Sequence, residues 1–188
     1  MIRTAPVLVM AGMHDAYDSH RSLLIERFAD ATNSNAAEQL VKMCLLEPAL
    51  PELIQRLLPT AEFLRKQSAV EGPRMAMLVH TAFALYELRK GNPTEAIRWA
   101  DRALTLADQD PSSASGNYQT FLRAILVMAC RQSGNNARAE AEARSVREFV
   151  QRHGEAFDKT GEPENQKFVP VIERVLAIIL AREALGME

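Results

Sequence analysis

Four side chains able to hold a metal or move a proton, His14, Asp15, Asp18 and His20, crowd one short stretch near the start of the chain. A helix that ligates zinc places two histidines four apart on one face, as in HExxH; His14 and His20 are six apart and face different ways. The acids fit a helix start instead, where negative charge meets the positive end of the macrodipole. Cys44 and Cys130 are far apart and match no CxxC or zinc spacing, so both are expected as buried, reduced thiols. No GxSxG or comparable motif surrounds any serine or cysteine. The acidic pairs Glu140/Glu142 and Glu162/Glu164 fall in a charged helix and a loop, where solvation accounts for them. The expectation is a protein without catalytic residue, metal or cofactor.

One stretch invites a binding role: "LRKGNPTEAIRWADRALTL", Leu88 to Leu106, with a glycine and a proline two residues apart. A loop that cradles phosphate would need GxxxxGK[ST], or GxGxxG behind a strand, and neither motif nor strand is present. The alternative is the elbow of a helical hairpin, which raises the question of what the elements around it are.

The pattern is helical nearly throughout. Ala, Leu, Arg and Glu dominate, β-branched residues are sparse, and no alternation of apolar and polar residues lasts. Asn92 can cap, Pro93 suits a first helical position and Glu95 stands at the third; Asn35 and Glu38 repeat the cap-and-acid spacing. Gly12, Gly91 and Gly134 each close an apolar-periodic stretch, as C′ glycines do. These signals place helices near 2–11, 15–29, 35–46, 51–67, 73–90, 93–108, 116–133, 136–152 and 164–185, with longer loops over 107–117 and 153–167. The chain reads as all-α and as a single domain of 188 residues.

Charge excludes several partners. Lys plus Arg is 22 against 24 for Asp plus Glu, too even for non-specific nucleic-acid binding or a polybasic membrane patch. The most apolar run, "VLAIILA", spans Val175 to Ala181, whereas a membrane helix needs about 20 residues. A cytoplasmic location is the expectation.

Shifting Gly91 onto Gly134, by 43 residues, aligns Asn92 with Asn135, Ala96 with Ala139, Ala100 with Ala143, and Ala103 with Val146. Small residues at these positions share one helical face and let the second helix of a pair approach the first. A repeated helix pair with small residues at its crossing is the unit of an α-solenoid. The expected pairs are about 2–29, 35–67, 73–108 and 116–152, with a terminal helix near 164–185. Trp99, the only tryptophan, then fills the gap between helices beside Ala96, Ala100 and Ala103.

Here "AFALYELRKGNPTEAIRWADRAL" resembles the tetratricopeptide repeat: a small residue in the first helix, a turn glycine, then Ala and Ala-Leu in the second. The period of 43 exceeds that family's usual value of about 34, mostly through the 107–117 loop. A narrower resemblance covers most of the chain. "RFADATNSNAAEQLVKMCLLEP", "ALYELRKGNPTEAIRWADRAL" and "AILVMACRQSGNNARAEAEA" are similar to a module of bacterial proteins, appended behind serine/threonine kinase or β-propeller domains in planctomycete-type bacteria. The kinase motifs are absent, so no phosphoryl transfer follows from it. The resemblance implies a right-handed superhelix of stacked antiparallel helix pairs with a C-terminal cap. It also implies that "MIRTAPVLVMAG" is the second half of a helix beginning upstream.

In this family the first helices of successive pairs line a concave groove that receives a peptide or a partner helix. His80 and Arg123 are equivalent under the 43-residue shift, and Glu87 lies two turns beyond His80, so these three are the candidate groove residues. The function expected is that of a non-enzymatic scaffold binding a protein partner, accessory to a larger bacterial signalling protein. A second reading comes from the last helix, apolar on more than one face at Phe168, Val171, Ile172, Val175, Ile178, Ile179 and Leu185. It could cap the stack, or serve as the seam of a homodimer through residues 168–185.

Overall fold

The computed structural model describes residues 4–109, 116–160 and 168–187, without the side chains of 154–160 and 168–171. Among the described residues the protein is helical and carries no strand. The helices are α1 (Thr4–Met10), α2 (His14–Phe28), α3 (Ser34–Cys44), α4 (Pro51–Gln67), α5 (Pro73–Arg89), α6 (Pro93–Gln109), α7 (Gly116–Gln132), α8 (Asn136–Thr160) and α9 (Phe168–Leu185).

The elbows are built alike. At Gly91, φ is 81°; its N–H donates to the Leu88 carbonyl at 3.1 Å, and the N–H of Asn92 donates to Glu87 at 2.9 Å. Gly134, at φ 80°, repeats both bonds one pair later, to Arg131 at 3.1 Å and from Asn135 to Cys130 at 2.8 Å. Gly12 and Gly186 end α1 and α9 in the same way. This pattern satisfies carbonyls that a helix end leaves open, and it needs a left-handed residue that only glycine adopts without strain. Asn135 then caps α8, accepting from the N–H of Arg138 at 3.2 Å. The cap of α3 departs from expectation. Asn33, not Asn35, accepts from the N–H of Ala36 at 2.8 Å, and Glu38 points into the core instead of closing a capping box.

Two boundaries also differ. α8 continues from 152 to Thr160, through His153 and Gly154, where a loop was expected. The glycine costs the helix about 1 kcal/mol, and the helix formers Glu155, Ala156 and Lys159 that follow offset it. α3 stops at Cys44 rather than 46, with Leu45 at φ −118° leading into the turn before Pro48. Pro111 and the expected loop around it lie largely outside the described residues, as does 161–167.

Consecutive helices form pairs, packed most extensively in α5–α6 and α7–α8. The small residues sit where the pairs cross: Ala96, Ala100, Ala103 and Ala143 are fully buried, and Ala139 nearly so. The first helices form an inner layer in which α1, α3, α5, α7 and α9 touch in succession, and α9 returns to touch α1. They are accordingly apolar nearly all round. In α5, Ala76–Val79 and Thr81–Leu88 are all buried, and in α9 so is Val175–Ala181. The second helices lie outside: α6 buries only Ala96, Trp99, Ala100, Ala103 and Ala107 and turns its charged face to solvent.

This closure changes the expected groove. α9 packs on α7, α8 and α1 and closes the row of first helices, of which α5 is buried nearly all round. No helix among the described residues is long and apolar enough to cross a membrane.

Candidate functional site

An open cleft lies where the inner layer closes. It measures about 730 Å³ and is bounded by the end of α1, the start of α2, the turn after α3 and the end of α9. Its floor is apolar, from Val9, Met10, Leu46, Ile179 and Met187; its rim is charged, from His14, Asp18, Arg21, Glu47, Arg182 and Glu183. That volume is within the range of about 300–1,000 Å³ usual for ligand sites. Apolar surface continues beyond it. Met187 is 47% exposed, and Met13, in the turn joining α1 to α2, is 52% exposed. Methionines fill irregular contacts and suit adaptable binding surfaces.

Buried hydrogen bonds hold the cleft in shape. The Tyr17 hydroxyl donates to the Met43 carbonyl at 2.9 Å and accepts from the Leu46 N–H at 3.1 Å, clamping the end of α3. Burial pushes this phenol well above its usual range. Arg21 lies over the Tyr17 ring at 5.1 Å, donates to the Pro48 carbonyl at 3.2 Å and pairs with Asp18 at 2.7 Å. From α5, Arg89 donates to the carbonyls of Leu45 at 3.1 Å and Leu46 at 3.0 Å and forks onto both oxygens of Glu183, at 2.5 and 2.6 Å. Arg131 donates to the Ala184 carbonyl. Guanidinium groups of α5 and α7 thus satisfy carbonyls at the ends of α3 and α9, and tie the four helices into one wall. Beside them, burial pushes the Cys44 thiol up to about 12, which keeps it protonated and unreactive.

The sequence candidates are elsewhere. The His80 ring lies 5.1 Å from that of Trp99, and Phe83 meets Trp99 edge-on at 4.9 Å. Burial, assisted by the charge of Arg102, pulls the His80 imidazole down to about 4. Glu87 borders a shallow cleft of about 310 Å³ between α4 and α6, floored by Phe83, Tyr86 and Trp99. It is held by the Asn92 amide at 3.1 Å and by Lys90 at 3.7 Å. Arg123 reaches α8 and pairs with Glu142 at 2.6 Å, in a network that runs on through Arg138 to Asp101 of α6. The structure therefore brings His80 and Glu87 to the α5–α6 side, while Arg123 ties α7 to its own partner helix.

One cluster escaped the sequence reading. Glu38 and Lys42, a turn apart on α3, form an ion pair of 2.5 Å with side chains 0% and 1% exposed. Lys42 reaches across the inner layer to the Tyr118 hydroxyl of α7 at 3.3 Å and stands 5.1 Å from its ring centre. Gln39 donates to Glu38 at 2.7 Å. Burial raises the Glu38 carboxyl, against the attraction of Lys42. Burial alone would lower the Lys42 ammonium, yet Glu38 and Tyr118 hold it above its ordinary value. Solvent does not reach the pair, so it offers no chemistry to a substrate. It links α3 to α7 through the core. The signal was a lysine inside the apolar run "LVKMCLL", four residues after a glutamate.

The expected dimer seam is also placed. Val175–Ala181 are buried within the chain, Ile178 and Leu180 completely, so this part of α9 is core. Phe168 and Val171 fall outside the described side chains.

No protein family, no curated protein and no solved structure matches this chain.

Proposed function

We propose that the chain is a non-enzymatic docking domain of tetratricopeptide kind, which binds a protein segment in the cleft between α1, α2 and the end of α9. The observation that carries this reading is the cleft itself, an apolar floor that includes Met10 and the exposed Met187 inside a rim of ion-paired charges. Such a surface loses apolar area to water on docking, while the paired rim needs little reorganisation. The rigid wall of arginine-clasped carbonyls keeps the site pre-formed, so less entropy is lost when a flexible segment settles there. The role as accessory domain of a larger bacterial signalling protein rests on the resemblance of "RFADATNSNAAEQLVKMCLLEP" and the two segments after it.

Binding requires the floor. Met10→Asp places a carboxylate on it and is expected to abolish capture of a partner that the wild-type chain retains, with the helical circular-dichroism spectrum unchanged. Equal capture by Met10→Asp and wild type would remove this site from the proposal. His80→Ala and Arg123→Ala leave capture intact if the cleft is the docking site.

A further inference from the structure

The polar atoms that face a visitor to the cleft are not an even mixture of signs. Asp18 has a side chain 58% exposed, Glu183 31% and Glu47 21%. The guanidinium groups paired with Asp18 and Glu183 sit behind them: the side chains of Arg21 and Arg89 are 7% and 6% exposed. His14, at 67%, is hydrogen-bonded to Glu47 at 2.9 Å, and Arg182 is half-buried at the rim. The arrangement turns carboxylate oxygens outward and Arg21 and Arg89 inward. Three helices, α1, α3 and α9, also end here with the negative ends of their dipoles, against the one positive end that the start of α2 brings.

We infer that the occupant of the cleft is a basic amphipathic segment of a partner protein, whose lysines or arginines meet Asp18, Glu47 and Glu183 while its aliphatic side chains cover Met10, Ile179 and Met187. This deepens the docking reading and rests on it. The long stems of Lys and Arg suit the site, since they lie along apolar surface while the charged head reaches a carboxylate at the rim. An acidic segment would meet like charge at the outermost positions, which suppresses the wrong partner.

The test uses two fluorescent peptides of the same length and helical spacing, one of lysine and leucine, the other of glutamate and leucine. Each is titrated with the full chain and followed by polarisation. The lysine peptide is expected to bind at least about tenfold more tightly, and to weaken as salt is raised. Met187 is exposed and tolerates charge, so Met187→Lys should weaken the lysine peptide by several-fold, more than Met187→Glu, which loses the same apolar contact without adding a like charge. Asp18→Asn with Glu47→Gln should weaken it by about tenfold.

Tighter binding of the glutamate peptide, still sensitive to Met187, would overturn the basic class and leave the docking site standing. Binding of neither peptide, or binding indifferent to Met187, Asp18 and Glu47, would overturn both. Concentration-dependent self-association abolished by Met187→Lys would overturn the inference too, by making a second copy of the chain the occupant.

Discussion

Glu38 and Lys42 show how much a single pair of side chains can demand of a fold. Each is buried as completely as the leucines around it, and neither is tolerable without the other. Lys42→Met alone leaves a carboxylate without its cation and is expected to cost about 3–5 kcal/mol in urea unfolding; Glu38→Leu with Lys42→Met should be near neutral or stabilising. If the double variant is as unstable as the single one, the pair contributes more than mutual compensation. His80 makes a separate demand, on pH. Its native imidazole titrates at about 4, below the 6.5 of an ordinary histidine. The unfolded chain therefore binds more protons between those values, and stability rises with pH across that window. His80→Phe should flatten this part of the stability–pH profile; an unchanged slope would mean the imidazole is not what carries it. In the sequence Trp99 was legible as a gap-filler, because alanines flank it on one face. The Lys42 contact was not, because the Tyr118 that receives it lies 76 residues away.

At the scale of elements, the elbow is the unit that repeats. Gly91 and Gly134 hold the same left-handed conformation and the same two bonds, and the alanines that follow each are buried at the same crossing. Gly134→Ala is expected to cost about 1 kcal/mol through φ alone, since no atom lies within 4 Å of an added Cβ. Ala100→Leu should cost more, about 1–3 kcal/mol, because the crossing has no room for the larger side chain. Thermal melts of the two variants check both, and reversed ranking would mean that the crossing yields more easily than the turn. Elements of this kind were readable because glycine, proline and alanine act locally, through φ and size. The start of α4 at Pro51 and of α5 at Pro73 follow directly from such punctuation. The extension of α8 through Gly154 did not, since a single glycine weakens a helix without fixing where it stops.

The molecule as a whole differs from an open stack in one respect: α9 turns back to touch α1. Local sequence signals do not encode such a closure, which depends on how many pairs precede it and on the angle between them. It joins the two ends of the row of first helices and creates the cleft at its edge. The apolar run of α9 then needs no partner to bury it. Ile178→Glu is expected to lower the melting temperature by the same amount at every protein concentration, as a core substitution does; a fall that shrinks on dilution would instead reveal a subunit interface. The candidate site was legible only in part. His14, Asp15, Asp18 and His20 drew notice as a cluster, and His14 and Asp18 do stand on the rim, but Glu47 and Glu183 reach it from distant parts of the chain.

Methionine offers the most direct measurement, because it marks both the cleft and the rest of the core. With every methionine methyl labelled with carbon-13, addition of the lysine–leucine peptide should move the resonances of Met10, Met13 and Met187 and leave those of Met43 and Met77, buried at 0% and 1%, in place. Movement confined to Met75 and Met77, on the helix that carries His80, would place docking on the α5 side and contradict the account.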